Sequence, residues 1–228
     1  WCIFISTPEP HDPYIAYQEF YEKYNLQEIS QPGNFSDDLS GKPNVLKRMQ
    51  KVWQDLQWRD FAEAITCYYA SCSLIDAQIG RILDLLKKKG ELENTIIIYT
   101  SDHGDMMGGH RLFTKGITPY EEVYKVPLII RTPNLPKLGN SCNHIVNIGG
   151  IGATILELTG CSPLPDRHFP SFAPLLDDVT YKDWQDITFA EFHGQRYFFT
   201  QRILWEGQYK FIFNGFDFDE LYDLERDP

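Results

Sequence analysis

Two neighbouring segments dictate the architecture. From about Asp60 to Lys89, the residues Ile65, Tyr69, Cys72, Ile75, Ile79, Ile82 and Leu86 recur at steps of three or four, which draws one apolar stripe along a helix. Lys87-Lys88-Lys89 puts positive charge at the negative end of the helix dipole, and Gly90 can take the left-handed cap. Thr95-Ile96-Ile97-Ile98-Tyr99-Thr100 follows at once, β-branched and apolar on both faces. That is the pattern of a central parallel strand covered on both sides. Val126 to Arg131 reads as a second such strand, with Pro127 limiting its early pairing, and Gly152 to Thr159 as a short helix ending at Gly160. Strand, long helix, strand, strand, helix predicts an α/β layer architecture.

The ends differ from this middle. Trp1 to Ser6 reads as a buried strand, and because natural termini are usually polar, the chain is expected to continue upstream of Trp1. Three prolines between Thr7 and Tyr14 fix an extended loop around His11. Tyr17 to Tyr21 reads as a short helix and Ser30 to Asn44 as a loop, within which Asn34-Phe35-Ser36 fits a glycosylation sequon. Beyond about residue 178 the strands Ile187–Phe192, Arg196–Leu204 and Gln208–Phe213 predict a small antiparallel subdomain, with Glu206-Gly207 in a hairpin turn. The expected domains are therefore 1–178, the α/β part, and 179–228, the antiparallel part.

Charge and composition exclude several classes. The chain has 228 residues and a net charge of −11, which argues against a nucleic-acid binder or a basic membrane-surface protein. No apolar run approaches the roughly 18–20 residues of a membrane span. With 43% hydrophobic residues, a packed core is expected. Five cysteines include no C-x-x-C, so no zinc ribbon or redox pair is indicated, and most read as small buried hydrophobes. A Cys142–Cys161 disulfide is an open option.

The chemistry concentrates in Thr100-Ser101-Asp102-His103-Gly104-Asp105-Met106-Met107-Gly108-Gly109-His110, and then Lys115. Asp102 and His103 come immediately after a buried strand, where ligands bind in α/β sheets. Adjacent carboxylate and imidazole offer oxygen and nitrogen to one cation: calcium, magnesium or manganese, with the imidazole tilting toward transition metals. The glycines let the backbone approach a ligand. The bland alternative is a capped turn holding an Asp–His hydrogen bond. Asp105 fits either a supporting or a turn role.

Thr95 to Lys115, continued through Pro119-Tyr120-Glu121-Glu122 to Val126-Pro127-Leu128-Ile129, resembles the type I sulfatases of the alkaline-phosphatase-like superfamily. Tyr68 to Arg81 is similar to that family's long helix, and Pro10-His11-Asp12-Pro13-Tyr14 to its His-bearing loop. Glu191-Phe192-His193-Gly194, Tyr209-Lys210 and Glu220-Leu221-Tyr222-Asp223-Leu224 match its C-terminal subdomain. The resemblance implies a partial alkaline-phosphatase-like fold: a mixed, mainly parallel sheet flanked by helices, plus the small antiparallel subdomain. It implies Asp102 and His103 as two ligands of a Ca2+ ion, with Mg2+ or Mn2+ as options. Lys115 would hold a sulfate oxygen, His11 would lie against the sulfate and can protonate the leaving oxygen, and His193 would sit at the pocket rim. His110 is a more distant carry-over. His144 and His168 read as ordinary loop or surface histidines. An anionic ester needs charge stabilisation on its oxygens and a proton for its leaving group. At net charge −11, the site must make its own positive field.

The resemblance also implies parts not in this chain: a formylglycine nucleophile from Cys or Ser in C-x-P-x-R, and two further acidic metal ligands, all upstream. Cys161-Ser162-Pro163-Leu164-Pro165 begins like that motif but carries Pro165 where the arginine is required. The expected function is a metal-dependent sulfuric ester hydrolase acting on a sulfated small molecule or carbohydrate. Its partner would be the missing N-terminal half of the same polypeptide, and the 228 residues alone are expected to be inactive. The alternatives are a phosphonate monoester or phosphodiester hydrolase of the same superfamily, or a non-catalytic relative.

Overall fold

In the computed structural model, residues 1–133, 139–195, 198–215 and 217–227 are described. The chain divides into two compact units. One comprises Trp1–Thr95 and His103–Leu128, the other Ile96–Asp102 and Ile129–Pro228.

The long helix is the spine of the first unit. After α1 (Gln18–Tyr21) and α2 (Asn44–Val52), α3 runs from Trp58 to Lys88. The Gln57 N–H donates to Asp60 Oδ2 at 2.7 Å, which starts the helix with a carboxylate on its positive end. At the other end Gly90 is left-handed, and Glu91 N–H reaches back to the Leu86 carbonyl at 2.9 Å. This is the glycine cap that the sequence predicts.

The core sits on the first half of α3. Phe61 is fully buried and stacks on Phe113 with centroids 4.4 Å apart, while Phe35 meets Phe61 and Trp53 meets Phe113 edge-on at 5.0 and 5.3 Å. Thr66 is buried because its hydroxyl donates to the Ala62 carbonyl at 2.8 Å. The buried face is Phe61, Ala62, Ile65, Thr66, Ala70 and Ser71, so the predicted stripe is corrected. Of its members only Ile65 is buried, and Ile82 is 39% exposed. Periodicity marks an apolar face, but burial needs a covering element, and here α1 and the loops after α1 and β1 meet only the helix's first half.

Expectations of burial and pairing change further. Residues 1–6 form no strand and Phe4 is 91% exposed, because no described strand supplies a ladder partner. All five cysteines are free; four are exposed and Cys67 is partly covered, so they are not core residues and Cys142–Cys161 is not bridged. Asn34, of the sequon, is part-buried, and its amide donates to Glu122 Oε1 at 2.9 Å. The helix α2 is an addition, seeded where Pro43 enters the first turn ahead of Val45, Leu46 and Met49.

In the second unit β1 (Ile97–Thr100) pairs with β2 (Leu128–Arg131). Neither is sealed on both faces as expected: Tyr99 is 38% and Ile129 64% exposed, and the described residues add no third strand to this sheet. Helix α5 (Ile151–Leu158) ends at left-handed Gly160, as predicted. After α6 (Ala173–Asp177) come β3 (Ile187–Phe192), β4 (Gln201–Glu206), β5 (Tyr209–Asn214) and β6 (Glu220–Asp223), one antiparallel sheet in chain order. Glu206 pairs with Tyr209 across a two-residue turn at left-handed Gly207, which confirms the hairpin. Of the predicted strand Arg196–Leu204, Arg196 and Tyr197 lie outside the described residues and Phe198 to Thr200 form no strand, while β6 is an addition.

This sheet buries polar groups on its inner face. Gln201 Nε2 donates to Asn214 Oδ1 at 2.9 Å, Asn214 Nδ2 donates to Glu220 Oε2 at 3.1 Å, and the Tyr222 hydroxyl donates to Glu220 Oε1 at 2.6 Å. Lys210 lies buried with its Nζ 5.0 Å from the Trp205 ring centroid. Removing Asn214 strands a buried amide and weakens a buried carboxylate. Asn214→Ala is expected to cost about 1–3 kcal/mol in denaturant unfolding, with Asn214→Asp also destabilised because it places a second carboxylate against Glu220. Unchanged unfolding midpoints would show that the network carries no weight.

His144 is not an ordinary loop residue. Its Nδ1 meets Asp186 Oδ2 at 3.0 Å, Ile145 N–H meets Asp186 Oδ1 at 2.7 Å, and Trp184 Nε1 donates to the Ile145 carbonyl at 2.9 Å. It ties the 144–145 segment to the entry of β3.

Candidate active site

The site grows from one backbone contact. Gly104 N–H donates to the Val123 carbonyl at 2.7 Å, which presses the chain after His103 against α4 (Glu121–Tyr124). A β-carbon on Gly104 would lie 1.9 Å from the Glu122 carbonyl oxygen, so only glycine fits. Then comes a run of left-handed backbone: Met107, Gly108, His110, Arg111, Thr114 and Gly116 all have positive φ. Four of these carry side chains, a cost that persists only where neighbours over-determine the path.

Those neighbours are identifiable. Asp105 Oδ1 accepts from the N–H groups of Met107 and Thr114, both at 3.0 Å, and Met106 N–H donates to the Thr114 carbonyl at 3.0 Å. Gln50 Nε2 donates to the His110 carbonyl at 2.9 Å, and Arg111 Nη2 donates to the Leu56 carbonyl at 2.8 Å. His110 Nδ1 meets Asp37 Oδ2 at 2.7 Å while its ring stacks on Tyr120 at 4.0 Å. His110 is thus a fixed brace of the loop. Phe113 plugs the loop into the aromatic core.

This path delivers Lys115 to His11. The Lys115 ammonium donates to His11 Nε2. On the other side of that ring, Nδ1 faces the Asp12 carbonyl at 2.8 Å and Asp12 Oδ1 at 2.9 Å. Both partners are acceptors, so Nδ1 carries the hydrogen and the Nε2 lone pair points at Lys115. The peptide bonds on either side, Glu9–Pro10 and Asp12–Pro13, are cis. The His103 ring lies 5.7 Å from that of His11, edge to face. His103 Nδ1 donates to the Gly104 carbonyl at 2.8 Å, which makes Nε2 the basic nitrogen, the tautomer a metal-ligating histidine uses.

Tyr14 closes the cluster. Its hydroxyl donates to Asp105 Oδ2 at 2.9 Å. Burial, and then the Asp105 charge, hold that hydroxyl far above its ordinary pKa, so it is a donor at any working pH. Burial also raises the Asp105 carboxyl, against the three donors that favour its charged form.

The structure therefore brings His11, His103 and Lys115 together. Asp102 precedes His103 in the chain and is exposed. His193 lies in the second unit, just after β3 and exposed, with Nε2 3.7 Å from Glu191 Oε2. Arg202, donating at 2.9 Å, and then His193 hold the Glu191 carboxyl below its usual range. Among the described residues no group of three or more His, Cys, Asp or Glu stands ready to hold a metal ion. Asp102 and His103, the donors the resemblance implies, are two, fewer than the six or more ligands a calcium ion takes. Sequence reasoning placed Asp12 and Tyr14 in the His11 loop without giving them a role and left Asp105 undecided.

Comparison with known proteins decides the lineage. The family model described as "Sulfatase" matches residues 1–161, and that described as "N-sulphoglucosamine sulphohydrolase, C-terminal" matches residues 108–228. The chain belongs to the sulfatase family. The protein named "Uncharacterized sulfatase YidJ" of Escherichia coli is 30% identical over 98% of this chain and 44% of its own length. The N-acetylglucosamine-6-O-sulfatase of Bacteroides thetaiotaomicron is 32% identical over 84% of this chain and 33% of its own length. This sulfatase chain spans about half the length, or less, of such curated relatives. Among solved structures, one in complex with its substrate D-glucosamine-2-N,6-O-disulfate superposes with a TM-score of 0.83 at 24% identity, over 96% of this chain and 58% of the other. The phosphonate monoester hydrolase of Agrobacterium radiobacter gives 0.85 at 23%, over 96% and 49%. These likenesses establish the alkaline-phosphatase-like α/β fold for this sulfatase-family chain. No described helix is long and apolar enough to cross a membrane.

Proposed function

We propose that the complete polypeptide hydrolyses sulfate esters of small molecules or carbohydrates. The observation that carries this is the meeting of the Lys115 ammonium with His11 Nε2, beside His103. An anionic ester brings oxygens that compete for the ammonium. Once Lys115 turns to a sulfate oxygen, His11 Nε2 faces the substrate. Protonated there, it hands that proton to the departing alkoxide and returns to the Nδ1–H tautomer that Asp12 favours. Lys115 holds charge on the sulfate oxygens throughout. Asp102 and His103, with upstream carboxylates, would hold a divalent cation, calcium foremost, which when bound would further neutralise those oxygens. The nucleophile, a formylglycine, would come from the upstream half. Sulfated amino sugars are the favoured class, since relatives carry such names.

A second reading, phosphonate monoester hydrolysis, draws on the likeness to the Agrobacterium radiobacter enzyme. One assay separates them: the complete polypeptide with matched 4-nitrophenyl sulfate and 4-nitrophenyl phenylphosphonate. Preference for the sulfate, lost on chelation and restored by Ca2+, supports the proposal. Preference for the phosphonate moves the activity to the second reading. Hydrolysis of neither, with a folded protein, points to a non-catalytic relative. The 228-residue chain alone is expected to turn over nothing, having no nucleophile, and sulfatase activity from it would refute this division of labour.

A further inference from the structure

We propose that Asp105 is a positioning residue that sets the spacing of Lys115 and His11, acting through Thr114 on the one and Tyr14 on the other; this rests on the sulfate-ester reading above. Its two oxygens have different jobs. Oδ1 takes the Met107 and Thr114 N–H groups, the second belonging to the residue just before Lys115. That bond alone would serve a turn. Oδ2 is committed elsewhere, to a hydroxyl 91 positions away in the chain. Tyr14 stands three residues after His11 and rests its ring on Phe113, 5.7 Å between centroids.

One carboxylate thus spans the loop that carries His11 and the loop that carries Lys115, and it sits two residues after His103. A local turn needs none of this. A device that keeps an ammonium and an imidazole nitrogen in contact needs both oxygens. Displacement of a reacting group by about 1 Å can cost on the order of 10²-fold in rate, so the clamp need only prevent a small drift to matter.

The substitutions separate its two halves. Tyr14→Phe removes one hydroxyl and leaves the 105–114 turn intact. Asp105→Asn keeps a carbonyl oxygen for the two N–H groups and turns an amide toward Tyr14, whose hydroxyl can accept instead of donate. Asp105→Ala removes everything. In the complete polypeptide, turnover of 4-nitrophenyl sulfate per folded molecule is expected to fall about tenfold in Tyr14→Phe. The fall in Asp105→Ala should reach roughly 10- to 10²-fold, while Asp105→Asn stays within about threefold of the parent.

The decisive readout is the imidazole 15N resonance of His11 Nε2, which reports the Lys115 contact directly. It should shift in Tyr14→Phe and in Asp105→Ala, and be restored in Asp105→Asn. A purely structural role would lower thermal stability and leave that resonance in place in the folded fraction. Unchanged resonance in Tyr14→Phe overturns the inference, whatever the assay shows. If the parent protein hydrolyses no sulfate ester, the functional reading fails, and the same spectra still decide whether Asp105 holds His11 and Lys115 together. Should Asp105→Ala fail to fold, Tyr14→Phe carries the test.

Discussion

Gly104→Ala is expected to lower turnover of a sulfate ester by the complete polypeptide at least about 10²-fold and to destabilise the fold by roughly 1–3 kcal/mol or more. The added β-carbon would meet the Glu122 carbonyl oxygen at 1.9 Å, its carbon at 3.0 Å and Val123 Cα at 3.3 Å. All three are backbone atoms of α4 and cannot rotate away. Relief requires the chain at 103–105 to retreat by about 1 Å or more, which also breaks the Gly104–Val123 hydrogen bond. His103 and Asp105 flank the glycine and move with it. The damage therefore reaches a proposed metal ligand and the node that links Lys115 to His11. Gly108 is the control: a β-carbon there meets only side chains, at 3.5 Å or beyond, although its left-handed φ of 94° makes substitution strained. Gly108→Asn, a residue that tolerates left-handed backbone, should retain more activity than Gly104→Ala. Thermal unfolding and kcat measured together check both. An active, equally stable Gly104→Ala variant would mean that the contact with α4 does not hold the site.

What could be read in the sequence follows from how local its cause was. The α3 helix was visible because an i, i+3, i+4 repeat and a Lys-Lys-Lys-Gly end are local signals, and both ends agree within two residues. The strand Ile187–Phe192 and the Gly207 turn were local in the same way. Covering elements are not local. The stripe beyond Ser71 was apolar in sequence yet lies part-exposed among the described residues, and Trp1 to Ser6 had strand composition without a ladder partner. At the site, Asp102, His103, His11 and Lys115 stood out through adjacent ligand types and family resemblance. Asp105 and Tyr14 lay inside the same resembling segments without a role of their own, because a bond across 91 positions leaves no spacing to recognise. The left-handed path from Met107 to Gly116 was equally hidden. It is imposed by Gln50, Asp37 and the aromatic core, and only its glycines announced a bend.

Lys115→Ala is expected to reduce kcat/KM for sulfate-ester hydrolysis by roughly 10²–10³-fold, the scale of removing one preorganised donor from a developing oxyanion. The protein's net charge of −11 repels an anionic substrate at long range, and salt screens that repulsion over about 10 Å at 0.1 M. Capture then depends on local cations, of which Lys115 is the one seen against His11. Its ammonium should act in both the bound and the transition state, so KM should rise while kcat falls. Lys115→Arg should not rescue fully, because a planar guanidinium cannot occupy the point that an ammonium does against one imidazole nitrogen. The contact with His11 gives a sharper test. If the two residues act as one device, His11→Ala in the Lys115→Ala background should cost far less than in the parent, since residues that act as a unit are non-additive. Independent, additive losses would show that the contact is incidental to chemistry. Full activity of Lys115→Ala in a folded protein would remove the lysine from the site, and with it the main physical reason to expect an anionic ester there.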